Sequence, residues 1–148
     1  MIGLAQAAFL AYGLHTLAAG RPVFLVGTPE TFTVVFANEV APKDYARAPQ
    51  SEWRRPSWTG PVLVGTRMPH DPAQRSRIIE AFMAGGAGIE RSPQYHMEFA
   101  AVAPDILVAT NASPSADGTG LTMPITSRRG EGRLLIDPVT AEPIRVTR

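Results

Sequence analysis

The chain has 148 residues, 45% hydrophobic and 18% charged, with 14 basic and 13 acidic side chains and a formal net charge of +1. That length holds one domain with a core and a short appendage, not two full domains. The hydrophobic content is too high for disorder, and the balanced charge removes the electrostatic footprint of a nucleic-acid binder. Cysteine is absent, which excludes disulfides and thiol catalysis, while 13 glycines and 14 prolines exclude long bundles and coiled coils.

Ile2 to Gly20 is a run of nineteen uncharged residues. As a helix rising ~1.5 Å per residue it just spans a hydrocarbon layer of ~30 Å. Alanine and glycine dominate the run, and Gln6, His15 and Thr16 interrupt it. Three readings fit. One is a transmembrane helix whose small residues Gly3, Ala7 and Ala11, four apart, pack on neighbouring helices. Another is a signal peptide cleaved near Ala18-Ala19-Gly20, although no basic residue precedes Arg21. The last is a buried helix of a globular core. Length and the flanks favour the transmembrane reading, and the missing basic flank suits a span oriented by other helices.

After Arg21 the pattern changes period. Pro22 to Val26 and Phe32 to Phe36 are short runs rich in β-branched and aromatic residues, separated by Gly27-Thr-Pro-Glu30; they predict a β-hairpin. Ala41 to Pro61 is proline-rich and reads as a loop wrapping the sheet, pinned by Trp53 or Trp58. Val62-Leu-Val64, closed by Gly65, is a third strand. One helix is well signalled, from about Pro72 to Ala84. Asp71 suits the N-cap, Pro72 the first helical position and Gln74 the third, while Ile78, Ile79, Phe82 and Met83 make an apolar stripe. Gly85 and Gly86 stop it. Tyr95 to Val102 fits strand or helix, and Ile106 to Ala109 reads as a strand. Asn111 to Gly120 reads as a flexible loop. Arg133 to Ile136 and Ile144 to Val146, around a turn of Asp137 to Pro143, predict a C-terminal hairpin. The expected fold class is α+β: a hydrophobic, transmembrane helix over residues 1–20, then a small, mainly antiparallel β domain with one well-signalled helix over residues 21–148.

Chemistry-bearing residues are sparse. His15, His70 and His96 show no metal-ligand spacing. His70-Asp71 pairs a base with a carboxylate, but Asp71 is better used as the helix cap, and no serine stands in a nucleophile turn. Glu90 and Glu98 read as solvated loop residues rather than paired catalytic carboxylates. Gly85-Gly-Ala-Gly88 follows a helix, whereas a phosphate cradle opens one. Asn111-Ala-Ser113 matches a glycosylation sequon and reads as loop. Arg54-Arg55 and Arg128-Arg129 are the densest charge; such pairs can bind phosphate or an acidic partner face but are usually solvated surface. The expectation is a protein that is not an enzyme, with no catalytic, cofactor-binding or metal residues and no cofactor.

The order of these pieces resembles a known family. The run Leu10-Ala-Tyr-Gly-Leu-His-Thr through Arg21-Pro-Val-Phe-Leu-Val26, then Phe32-Thr-Val-Val35 and Ala41-Pro42, is similar to the TfpX/TfpZ family of type IV pilin accessory proteins. The similarity continues through Trp58-Thr-Gly-Pro-Val-Leu-Val-Gly-Thr-Arg-Met-Pro69, Gly85-Gly86, Arg91-Ser-Pro-Gln-Tyr95 and the Ile136 to Pro143 turn. It departs at Ala141, where glycine is expected, because a side chain disfavours the left-handed conformation. The resemblance implies an accessory of type IV pilus biogenesis that assists pilin stability, assembly or surface display. It also implies a bacterial inner-membrane location, with residues 2–20 as the last of several membrane helices and residues 21–148 in the periplasm. The implied partners are a type IV pilin and the membrane, with no nucleic acid. Two alternatives stand beside it. One is a secreted or membrane-anchored ligand-binding module using the tryptophan loop and Arg54-Arg55. The other is an enzyme in which His70 or His96 converges with other groups in a pocket.

Overall fold

Strand structure begins where the chain turns from alanine-rich to β-branched. The computed structural model describes residues 2–147. Helix α1 covers Ile2–Ala19, and strands β1 (Pro22–Gly27) and β2 (Phe32–Phe36) follow it as the expected antiparallel hairpin. Thr28 builds the turn: its hydroxyl donates to the Thr31 carbonyl and accepts from the amides of Glu30 and Thr31. A threonine hydroxyl that bonds its own backbone in this way favours a turn.

The chain then leaves the sheet through helix α2 (Pro42–Ala46) and a 3-10 turn at Ser51–Arg54, returning as β3 (Val62–Gly65). β3 runs parallel to β1, because the long crossover brings the chain back in the same direction. Helix α3 (Pro72–Met83), three 3-10 turns and the short helix α4 (Ala103–Leu107) form the second excursion. The chain re-enters through β4 (Ser113–Pro114), β5 (Leu121–Ser127), β6 (Gly130–Ile136) and β7 (Pro143–Thr147). The sheet order is β3-β1-β2-β5-β6-β7, with β4 beside β5. β5 divides its pairing: Leu121 and Thr122 face β4, while Ile125 and Thr126 pair in parallel with Phe32 and Thr33 of β2. That split, with register shifts in the β1–β2 and β6–β7 pairings, curls the sheet.

Two cores result. Phe24, Val26, Val35 and Val64 pack with Tyr45 and Trp53 from the first excursion. Phe32, Met123, Leu134 and Ile136 pack with Phe99, Val102 and Ile106 from the second.

Several expectations need correction. The sheet is mixed: four of its six strand pairings are antiparallel, and the two crossovers add the parallel pairs β1–β3 and β2–β5. Ile106 to Ala109, read as a strand, lies in and after α4, where Pro104 sits in the first turn. The Asn111–Gly120 segment holds β4, and the Asp117 carboxylate orders the rest. It accepts from Ser115, from the Thr119 hydroxyl and amide, and from Arg145 at 3.1 Å. The hydroxyl bond from Ser115, first among these, holds the Asp117 carboxyl far below the usual carboxylate range.

The largest correction concerns residues 1–20. Among the described residues no helix is long and apolar enough to cross a membrane. The eighteen residues of α1 rise only about 27 Å, and alanine, glycine, Gln6, His15 and Thr16 dilute its leucines and phenylalanine. The transmembrane reading, and the inner-membrane location drawn from it, are not supported by this helix.

Candidate functional site

Helix α1 is joined to the domain by a set of arginine contacts at its C-terminal end. Arg21 lies with its guanidinium carbon 3.6 Å from the Trp58 ring centroid. It donates to the carbonyls of Ser57, at 2.8 Å, and of Ala18. Arg129, from the β5–β6 turn, donates to the Gly20 carbonyl at 3.3 Å, and Arg128 donates to Asn38 Oδ1 at 2.6 Å. Both guanidiniums lie over the Phe36 ring. Cations at a helix C-terminus meet its unpaired carbonyls and the negative end of its dipole, so this arrangement sets the direction in which α1 leaves the domain. The Arg128-Arg129 pair, read as solvated surface or a binder of phosphate or an acidic partner, is used here.

Beyond that clamp α1 is bare. Leu4, Phe9, Leu10, Tyr12, Leu14 and Leu17 are all more than half exposed, Phe9 at 78%. A helix that is apolar all round belongs in an interior, so this surface is complete only when something covers it. Gly3, Ala7 and Ala11 form a strip along it where another helix could approach closely.

The second feature is a cleft of about 650 Å³ beneath α3. Asp71 caps α3 as expected, accepting from the amides of Ala73 and Gln74 at 3.3 Å each. Of its apolar stripe only Ile78 is buried; Ile79 and Phe82 line the cleft and stay about half exposed. Arg67 and Asp105 line the same cleft and form an ion pair at 3.0 Å. No local pattern announces this cleft, because its walls come from five separate segments.

The histidines do not converge. His15 lies exposed on α1, and His70 lines the cleft with Asp71 committed to the cap. His96 is buried at 3% exposure, its Nε2 2.9 Å from the Glu90 carbonyl, its Nδ1 without a hydrogen-bond partner among the described residues. Its ring meets Phe24 edge-on at 4.9 Å and Trp53 at 6.5 Å. Burial pushes its pKa down to about 4, against the Glu90 carbonyl bond, which raises it. Nearby, burial pushes Tyr45 up to about 12, with the Arg21 charge opposing. Both are core groups rather than solvent-facing acid–base groups.

Glu98 is occupied by Gln50, whereas Glu90 lines the cleft, so the two carboxylates have different surroundings. Gly85 takes φ +86 after α3, as a stop signal does. Asn111 donates to the Glu30 carbonyl at 2.9 Å. Trp53 is buried and Arg54 donates to the Ala48 carbonyl at 3.1 Å, which anchors one part of the tryptophan loop, while Arg54, Arg55 and Trp58 stay exposed. Among the described residues no group of three His, Asp or Glu is gathered to hold a metal. No protein-family model, curated protein or solved structure matches the chain.

Proposed function

We propose that this protein is a non-enzymatic accessory of type IV pilus biogenesis that binds a type IV pilin through α1. The observation that carries the reading is a helix apolar on every side, held at one end by Arg21 and Arg129 and exposed along the rest. The scattered but ordered resemblance to the TfpX/TfpZ family supplies the partner: a pilin, whose apolar N-terminal helix would lie along α1. Close packing at Gly3, Ala7 and Ala11 supplies the contact. Strand addition is a second route, favoured by β7, an edge strand on which Ile144 and Val146 are more than half exposed.

The test is deletion of the gene in its host, with surface pili and total cellular pilin measured side by side. Loss of surface pili with pilin still made assigns the protein to assembly or display, and loss of both assigns it to pilin stability. Unchanged pili and pilin would reject the reading. Ala7→Leu with Ala11→Leu separates the two routes: reduced pilin capture supports α1, and unchanged capture transfers the contact to β7.

A further inference from the structure

We propose that the cleft beneath α3 is a second binding site, for a ligand with an aliphatic or aromatic body and a cationic amine head. Its size falls in the range of small-molecule sites, about 300–1,000 Å³. One wall is apolar: Ile79 and Phe82 of α3 face the cleft half-exposed, with Met68 and Ile89 also lining it.

The charged lining is unbalanced. Glu30, Glu90 and Asp105 face one arginine, Arg67, and the 3.0 Å pairing of Arg67 with Asp105 uses that cation. Glu30 and Glu90 are left with no basic side chain in ion-pair distance among the described residues. The Glu90 backbone is also held in place. Its carbonyl takes the buried His96 ring, and the side-chain carboxylate folds back over Gly88, where a Cβ would stand 2.7 Å from Oε2. The missing side chain at Gly88 thus makes room for a half-buried carboxylate beside an apolar wall. A carboxylate there gains most from a cation that brings its own apolar body.

Titration of the full-length protein with phenethylammonium and with N-acetyl-lysine methylamide, followed by calorimetry and amide NMR, tests this. The proposal expects both to bind, with shifts at Ile79, Phe82, Ile89 and Glu90. The tighter of the two tells whether the amine is a free small molecule or a lysine side chain. Gly88→Ala has an extended backbone that alanine accepts, so it should leave the fold intact while displacing the Glu90 carboxylate. It and Glu90→Gln should each weaken binding by about tenfold, the worth of one charge-assisted hydrogen bond. Equal binding of 3-phenylpropanoate or phenethyl alcohol would overturn the proposal. So would unchanged affinity in both variants, no binding, or shifts confined to Phe9 and Tyr12 of α1. None of these outcomes bears on pilin capture, so the two proposals fail separately.

Discussion

Helix α1 and strand β1 are separated by Gly20 and Arg21 and are both mostly apolar, yet they end in opposite surroundings. Phe24 in β1 is 1% exposed, whereas Phe9 in α1 is 78% exposed. The difference lies in what the rest of the chain offers each. β2 and β3 occupy both edges of β1, and Tyr45 and Trp53 cover its side chains. α1 meets the domain at one end through arginine contacts, and its apolar surface finds no counterpart along its length. Apolar composition therefore has two outcomes here: in β1 it is buried and drives folding, and in α1 it stays exposed.

Truncating one phenylalanine in each region should separate them most widely. Phe24→Ala should cost about 3–5 kcal/mol of stability, as large-to-small changes in a packed core do. Phe9→Ala should stay within about 0.5 kcal/mol, as an exposed substitution does, while weakening pilin capture. Urea unfolding followed by tryptophan fluorescence reads both, and equal losses would mean that α1 is packed in the folded protein.

Acid sharpens the comparison from the buried side. The folded pKa of His96 is about 4, below its ordinary 6.5, so between these values the unfolded chain binds a proton that the folded chain refuses. Stability is full above about pH 6.5 and falls as the pH drops to about 4, by on the order of 3 kcal/mol. His96→Phe should flatten that part of the stability profile; an unchanged slope would assign it to other groups.

The junction itself comes next. Arg21→Ala removes the stacking on Trp58 and two hydrogen bonds, together worth about 1–2 kcal/mol. Hydrogen exchange should speed up in residues 14–20 by about tenfold while the β1 amides keep their protection. Loss of protection in β1 as well would show that the two regions unfold together.

The smallest effect is at Ala141. It is fully buried and holds φ +60, the conformation that a Cβ disfavours by about 1–2 kcal/mol. Ala141→Gly relieves that strain but removes a buried methyl worth about 0.8 kcal/mol, so stability should change by less than about 1 kcal/mol. A larger loss would show that the methyl's fit between β6 and β7 outweighs the backbone.

Local features of the fold were legible in the residues. Asp71-Pro72 announced α3, Gly27 to Glu30 announced the first turn, and the runs on either side of Asp137 to Pro143 announced β6 and β7. What escaped depends on long-range pairing. Nothing within Val62 to Gly65 states that it runs parallel to β1, and the apolar run at Ile106 satisfies a short buried helix as well as a strand. Ala141 was expected to avoid a left-handed backbone and adopts one, because core contacts there decide over local preference. Of the candidate sites, the apolar character of α1 was plain from its residues, but its exposure and its clamp were not. Arg128 and Arg129 reach Asn38 and Gly20 across 90 and 109 positions of sequence. The cleft beneath α3 was invisible for the same reason.

The central claim is that α1 is the surface on which pilin is bound. Its most direct test is a photo-crosslinking residue placed in host cells at Phe9 or Leu14 of α1, or at exposed Val139 in the β6–β7 turn. The account predicts pilin adducts from positions 9 and 14 and none from position 139. No pilin adduct along α1, or an equal yield from position 139, would contradict it.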